Sequence, residues 1–155
     1  MTYTIKERDS LYASLNTVVQ GLGLLLVDVE VHHQKGKTAV QVIISKTGGS
    51  VGIDDCSRVH RAIIPRVELA FPGESVYIEV LSPGINRSIK DASEFPLYVG
   101  KGVRCYLQDT NDWCGGVIAR ADTTHLVLRK KGELLEIPYE NIIKARLDHS
   151  QEVAN

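Results

Sequence analysis

The chain has 155 residues, 43% of them hydrophobic and 24% charged, with a formal net charge of −1. That composition is globular, neither disordered nor membranous, and the longest apolar run, residues 24–27, is far short of the roughly 20 residues a membrane-spanning helix needs. Residues 1–82 carry 8 Lys+Arg against 9 Asp+Glu and residues 83–155 carry 10 against 10, so neither half has the basic excess of a protein that binds nucleic acid by broad phosphate neutralisation.

The polar start "MTYTIKERDS" predicts neither a signal peptide nor a transit sequence. Residues 4–20 then predict an amphipathic helix, with Leu11, Leu15, Val18, Val19 and Leu22 at helical spacing and Gly21 and Gly23 at its end. From Leu25 the period falls to two. Val27, Val29 and Val31 are expected on one strand face and Asp28, Glu30 and His32 on the other. "QKGK", residues 34–37, predicts a hairpin turn before a return strand that alternates through Val40, Val42 and Ile44. After a Gly-rich loop, Asp54 reads as the N-cap of a second helix bearing Val59, Ile63, Val67 and Ala70 on one side. Pro65 predicts a kink or break near Ile64. Val76, Ile78 and Val80 form a third strand, giving the order α-β-β-α-β.

The second half changes grammar. After a helical turn over residues 92–98, strand patterns follow at 103–108, 113–120, 126–130, 134–137 and 142–147, joined by short turns. Five short strands at that spacing predict a small closed barrel. The expected fold class is α+β in two small domains, an N-terminal α-β-β-α-β sandwich and a five-stranded β-barrel. Their expected bounds are 1–82 and 91–150, with a linker at 83–90 and a disordered tail beginning after Asp148, 151–155 lying outside both domains.

Chemistry-bearing constellations are sparse. Cys56, Cys105 and Cys114 are odd in number and lack a CxxC pair, which favours a reducing cytoplasm over a disulfide framework. Cys56 and His60 share a helical face, yet two further ligands for a closed metal site are missing at recognisable spacing. The plainer reading makes Asp54 and Asp55 helix-start acids, Cys56 a packing residue and His60 exposed. His32 and His33 point to opposite strand faces and chelate poorly. The glycines around Ser50 lack the lysine and spacing of a P-loop. No catalytic residue, metal, cofactor or small-molecule substrate is therefore expected. The basic run Arg129, Lys130 and Lys131 reads as a solvated hairpin tip first and a phosphate contact second. Trp113 reads as core or barrel rim.

The stretch "EVLSPGINRSIK", residues 79–90, marks the change of grammar. Pro83 removes a donor where the third strand must stop, and Gly84 is expected to make a turn that other residues resist. Arg87 follows, expected on the exposed side; its guanidinium suits either a carboxylate clamp or a partner's phosphate or acidic group.

This stretch resembles the signature of the bacterial ribosome maturation factor family RimP. "GIDDCSRVHRAI" resembles that family's second-helix opening, and "LLEIPYENIIKARL" its closing segment. Order and spacing agree over nearly the whole chain, although Leu81, Asn86 and Ser88 depart from the family's serine, aspartate and proline. The resemblance implies an Sm- or SH3-like barrel and a monomeric, cytoplasmic, non-enzymatic factor. It further implies binding to the free small (30S) ribosomal subunit, through ribosomal protein and 16S rRNA, during late assembly. Expected partner-binding residues are Ser82, Pro83, Gly84, Asn86, Arg87, Arg129, Lys130 and Lys131. The alternative is a stand-alone Sm-like RNA-binding module.

Overall fold

The computed structural model describes residues 1–153. The chain divides into two compact units, Lys6–Pro83 and a second formed by Gly84 onward together with Met1–Ile5.

In the first unit, helix α1 (Ser10–Gly21) begins where the Asp9 carboxylate accepts the Tyr12 N–H at 2.9 Å, which satisfies one of the amides a helix start leaves open. It is preceded by a 3-10 turn, Lys6–Arg8, rather than starting near residue 4 as the periodicity predicts. Strands β1 (Leu25–Gln34) and β2 (Lys37–Ser45) pair antiparallel. Their connection uses Lys35 at φ 44° and Gly36 at φ 78°, the two left-handed residues that suit a tight hairpin to twisted strands. Helix α2 (Ile53–Ala70) then crosses over to β3 (Ser75–Leu81), which joins β2 in parallel. The sheet order is β1-β2-β3.

Leu15 and Val19 from α1, Leu26 from β1, Val40, Val42 and Ile44 from β2, and Val59, Ile63 and Val67 from α2 make one core. Three local expectations are corrected. A bulge between Leu26 and Asp28 leaves Val27 without a strict pairing place, so Val27 departs from the face of Val29 and Val31, which pack on the core with Leu26. One inserted residue flips the alternation. The helix starts two residues before the expected Asp54 cap: Gly52 is the N-cap and Asp55, at the third position, accepts its N–H at 2.9 Å. Of the kink or break expected at Pro65, the break is absent: helix α2 is one continuous element through this exposed proline, where water can satisfy the carbonyl that the proline cannot serve.

The second unit is a six-stranded antiparallel sheet of order β4-β9-β5-β6-β7-β8. Its strands are β4 (Ser88–Ile89), β5 (Gly102–Leu107), β6 (Asp112–Ala121), β7 (His125–Lys130), β8 (Glu133–Pro138) and β9 (Ile142–Leu147). The five expected strands are present, but the expected five-stranded closed barrel is not. A sixth strand lies on β9, and among the described residues no pairing joins β8 back to β4. Strand β4 is two residues long and leads at Lys90 towards a 3-10 helix, Ala92–Tyr98, so it offers β8 too little edge to close a ring. Phe95 of that helix stacks on Tyr139 at 5.6 Å and fills the core beneath the sheet with Tyr98, Val103, Ile118, Leu126 and Ile142.

Both chain ends are tied to this unit. Thr2 accepts from the Ala92 N–H at 2.8 Å, and Thr4 donates backbone and hydroxyl hydrogens to Asp91 at 2.9 and 2.6 Å. Residues 150–153, expected to be disordered, form a short helix α3 (Ser150–Val153). Asp148 accepts from the Ser150 amide at 3.1 Å and Glu152 from the Gly102 amide at 3.2 Å, which gives the turn an N-cap and an anchor. The remainder of the expected tail lies outside the described residues.

Candidate functional site

The stretch from Ser82 to Lys90 is divided between the units. Ser82 and Pro83 end the first, after β3; Gly84, Asn86 and Arg87 belong to the second. Gly84, Ile85, Asn86 and Arg87 make a turn closed by the Arg87 N–H donating to the Gly84 carbonyl at 3.0 Å. Ser82, Gly84 and Asn86 are exposed, and Pro83 is half-buried.

Gly84 does not use a left-handed backbone, and a Cβ built there meets nothing within 4 Å. The expectation that this turn demands glycine is thereby corrected. Gly84→Ala is predicted to leave the melting midpoint unchanged or to stabilise by up to about 1 kcal/mol, because it removes only unfolded-state freedom. A loss of stability above that size in a thermal or urea melt would contradict the turn geometry.

Arg87 is not on the exposed side. Its side chain is only 10% exposed, and its Nε donates to Glu94 Oε1 at 2.9 Å. Glu94, wholly buried in the 3-10 helix, also accepts the Lys90 N–H at 3.1 Å through Oε2. Tyr98, one turn on, places its hydroxyl 3.5 Å from Oε1. Burial first, and the Glu94 carboxylate second, push the Tyr98 phenol above its ordinary value, so it stays neutral and donates. The arginine of the motif is thus the carboxylate clamp, and the carboxylate comes from its own unit. Sequence reasoning missed Glu94; the available signal was a lone acid immediately before Phe95 in an apolar segment.

Arg129, Lys130 and Lys131 are together at the β7–β8 hairpin, all exposed. Lys131 at φ 51° and Gly132 at φ 78° make the tight turn. In strand order this tip and the Arg87 segment fall at opposite ends of the sheet.

Cys56 and His60 line an open depression of about 610 Å³ at the start of α2, with Ile53, Arg61 and Leu81. Burial, and secondarily the Asp55 charge, raise the Cys56 thiol above its ordinary value, the reverse of what activates a nucleophile. Cys105 and Cys114 face each other across β5 and β6, and burial pushes the Cys105 thiol up to about 12. Among the described residues no group of three or more His, Cys, Asp and Glu converges as a metal site, and no helix is long and apolar enough to cross a membrane. The geometry is that of a two-unit α+β chain whose Arg87 is held by Glu94 and whose Arg129, Lys130 and Lys131 are exposed.

Residues 14–86 match the family model described as the RimP N-terminal domain. The chain is 26% identical over 143 residues to the ribosome maturation factor RimP of Borrelia hermsii (strain HS1 / DAH), covering 92% of this chain and 97% of the relative. Coverage is the same, at 26% identity, for that of Borrelia recurrentis (strain A1) and, at 24%, for that of Borrelia turicatae (strain 91E135). These matches support the RimP family of ribosome maturation factors for this chain.

Proposed function

We propose that this chain is a cytoplasmic, monomeric assembly factor that binds the free small ribosomal subunit and assists its late maturation without catalysing a reaction. The observation that carries this reading is the extent of the similarity: 143 residues, 92% of the chain, align with proteins named ribosome maturation factors. The match therefore includes the second unit as well as the first. The raised Cys56 and Cys105 thiols fit a chain that acts by binding. The contact residues are read as the exposed Ser82, Gly84 and Asn86 and the Arg129, Lys130 and Lys131 tip, with Pro83 and Arg87 fixing the connecting turn. Nearly balanced charge in each half suits a mixed surface of ribosomal protein and 16S rRNA.

The test is sedimentation with separated particles. The protein is predicted to travel with free small subunits and to be absent from assembled ribosomes. Equal association with both, or with neither, would sink the reading.

A further inference from the structure

One face of the second unit's sheet carries a group of side chains that nothing above uses. Register places Arg104 opposite Arg146 and Tyr106 opposite both Lys144 and Trp113. Directly paired residues share a face, so three cations and two aromatic rings stand together on β9, β5 and β6. Tyr106 meets Trp113 edge to face at 5.4 Å. The Arg104 guanidinium lies 5.0 Å from the Trp113 ring centre, and Lys144 lies 5.4 Å from both rings. Trp113 is 38% exposed and Lys144 is exposed, whereas Arg104, Tyr106 and Arg146 are half-buried. The Arg104 Nε is buried with no hydrogen-bond partner.

A tryptophan at a sheet surface normally needs cover, and paired carboxylates normally accompany three clustered cations. Among the described residues the cover is partial, and no hydrogen-bonded carboxylate accompanies these cations. Helix α3 covers only one end, where Gln151 lies over Gly115. Asp148, the carboxylate whose charge Arg104 feels, is held low first by its hydrogen bonds from Gln151 and Ser150, with Arg104 the weakest contributor. Arg146 takes part in no ion pair among the described residues.

We infer that this face binds single-stranded RNA, with Arg104, Lys144 and Arg146 taking phosphates and Trp113 and Tyr106 stacking bases. Charge complementarity alone would also admit an acidic protein. The rings decide for RNA: every base offers a π-face to an indole, a phenol or a guanidinium plane, and a carboxylate offers none. The neutral overall charge is compatible, because this cationic group is local. Its sequence signal was the alternation of Arg104 with Tyr106 and of Lys144 with Arg146, each spaced by two in a strand.

The inference deepens the ribosomal reading by naming the surface that would touch RNA, and it is tested apart from ribosomes. Trp113 is the chain's single tryptophan, so intrinsic fluorescence reports on this face alone. Titration with a single-stranded oligoadenylate decamer is expected to quench that emission. Three phosphate contacts predict a slope of about −2 in log affinity against log salt, at roughly 0.7 per contact. The charge-reversal pair Lys144→Glu and Arg146→Glu should weaken binding at least about tenfold with an unchanged melt, while Lys35→Glu with Lys37→Glu on the first unit's hairpin should not. Absent quenching, unchanged affinity in the Lys144/Arg146 variant, or equal quenching by polyglutamate would each overturn the assignment, the last in favour of an acidic protein. Free oligonucleotide decides this inference and co-sedimentation decides the ribosomal one, so either can fail while the other stands.

Discussion

Replacing Arg87 by alanine is expected to destabilise the second unit by about 3–5 kcal/mol, the usual cost of stranding one member of a buried ion pair. The stranded group is Glu94, which has no exposure and whose Oε1 faces the Arg87 Nε at 2.9 Å. Without the guanidinium, that carboxylate must either stay charged in an apolar surround or take up a proton, and both cost free energy. The clamp also joins the turn before β4 to the Ala92–Tyr98 helix, so its loss loosens two elements that cover the core. Urea denaturation of the variant should show a lower midpoint, and any loss of the proposed small-subunit binding should follow that unfolding. The compensating test is Arg87→Met combined with Glu94→Gln. The amide oxygen keeps an acceptor for the Lys90 N–H, and no charge is left buried. The pair should recover most of the lost stability, to within about 2 kcal/mol of the parent. A single variant costing under about 1 kcal/mol, or a pair as unstable as Arg87→Ala, would show that the contact is not the clamp described.

The regular elements were legible because burial imposes period on them. Val40, Val42 and Ile44 alternate and all three enter the core, and the five longer strands of the second unit lie within about a residue of their patterned positions. What the pattern missed depends on single residues or on contacts distant in sequence. One bulge at Val27 moves a side chain off its expected face, and no turn residue announces it. Strand β4 is too short to show a period. The attachment of residues 2 and 4 to Ala92 and Asp91 spans about 90 residues and rests on threonine groups that look like an ordinary polar terminus. For the motif, the identity of Arg87 was legible and its direction was not. Sequence left carboxylate and partner both open, and burial of Glu94 selects the carboxylate. Similarly, Trp113 read as core or barrel rim, and nothing in the sequence alone singled out Arg104. Only the β5–β6 and β5–β9 registers bring them together with Lys144.

The second large effect is expected at Gly102, where the need for glycine is close approach rather than backbone angle. A Cβ at this position would run into the Asp148 carbonyl oxygen and reach the Gln151 Cβ at 3.0 Å. The same residue accepts the Asp148 N–H at 2.9 Å and donates its own N–H to Glu152 at 3.2 Å. Gly102→Ala cannot be absorbed by a rotating side chain, because the obstacle is backbone. The segment from Asp148 through α3 must lift, and both hydrogen bonds go with it. Overpacking together with two lost hydrogen bonds sets the expected cost at about 2–4 kcal/mol. Removing residues 148–155 takes away the obstacle and the partners together, at a stability cost of its own. In that shortened chain Gly102→Ala should cost less than about 1 kcal/mol, the propensity of a strand favouring the added methyl. Urea midpoints of the four proteins form a double-mutant cycle whose interaction free energy should exceed about 1 kcal/mol. Simple additivity would mean that the C-terminal helix does not rest on Gly102, and the account of why residues 150–153 are ordered would fall with it.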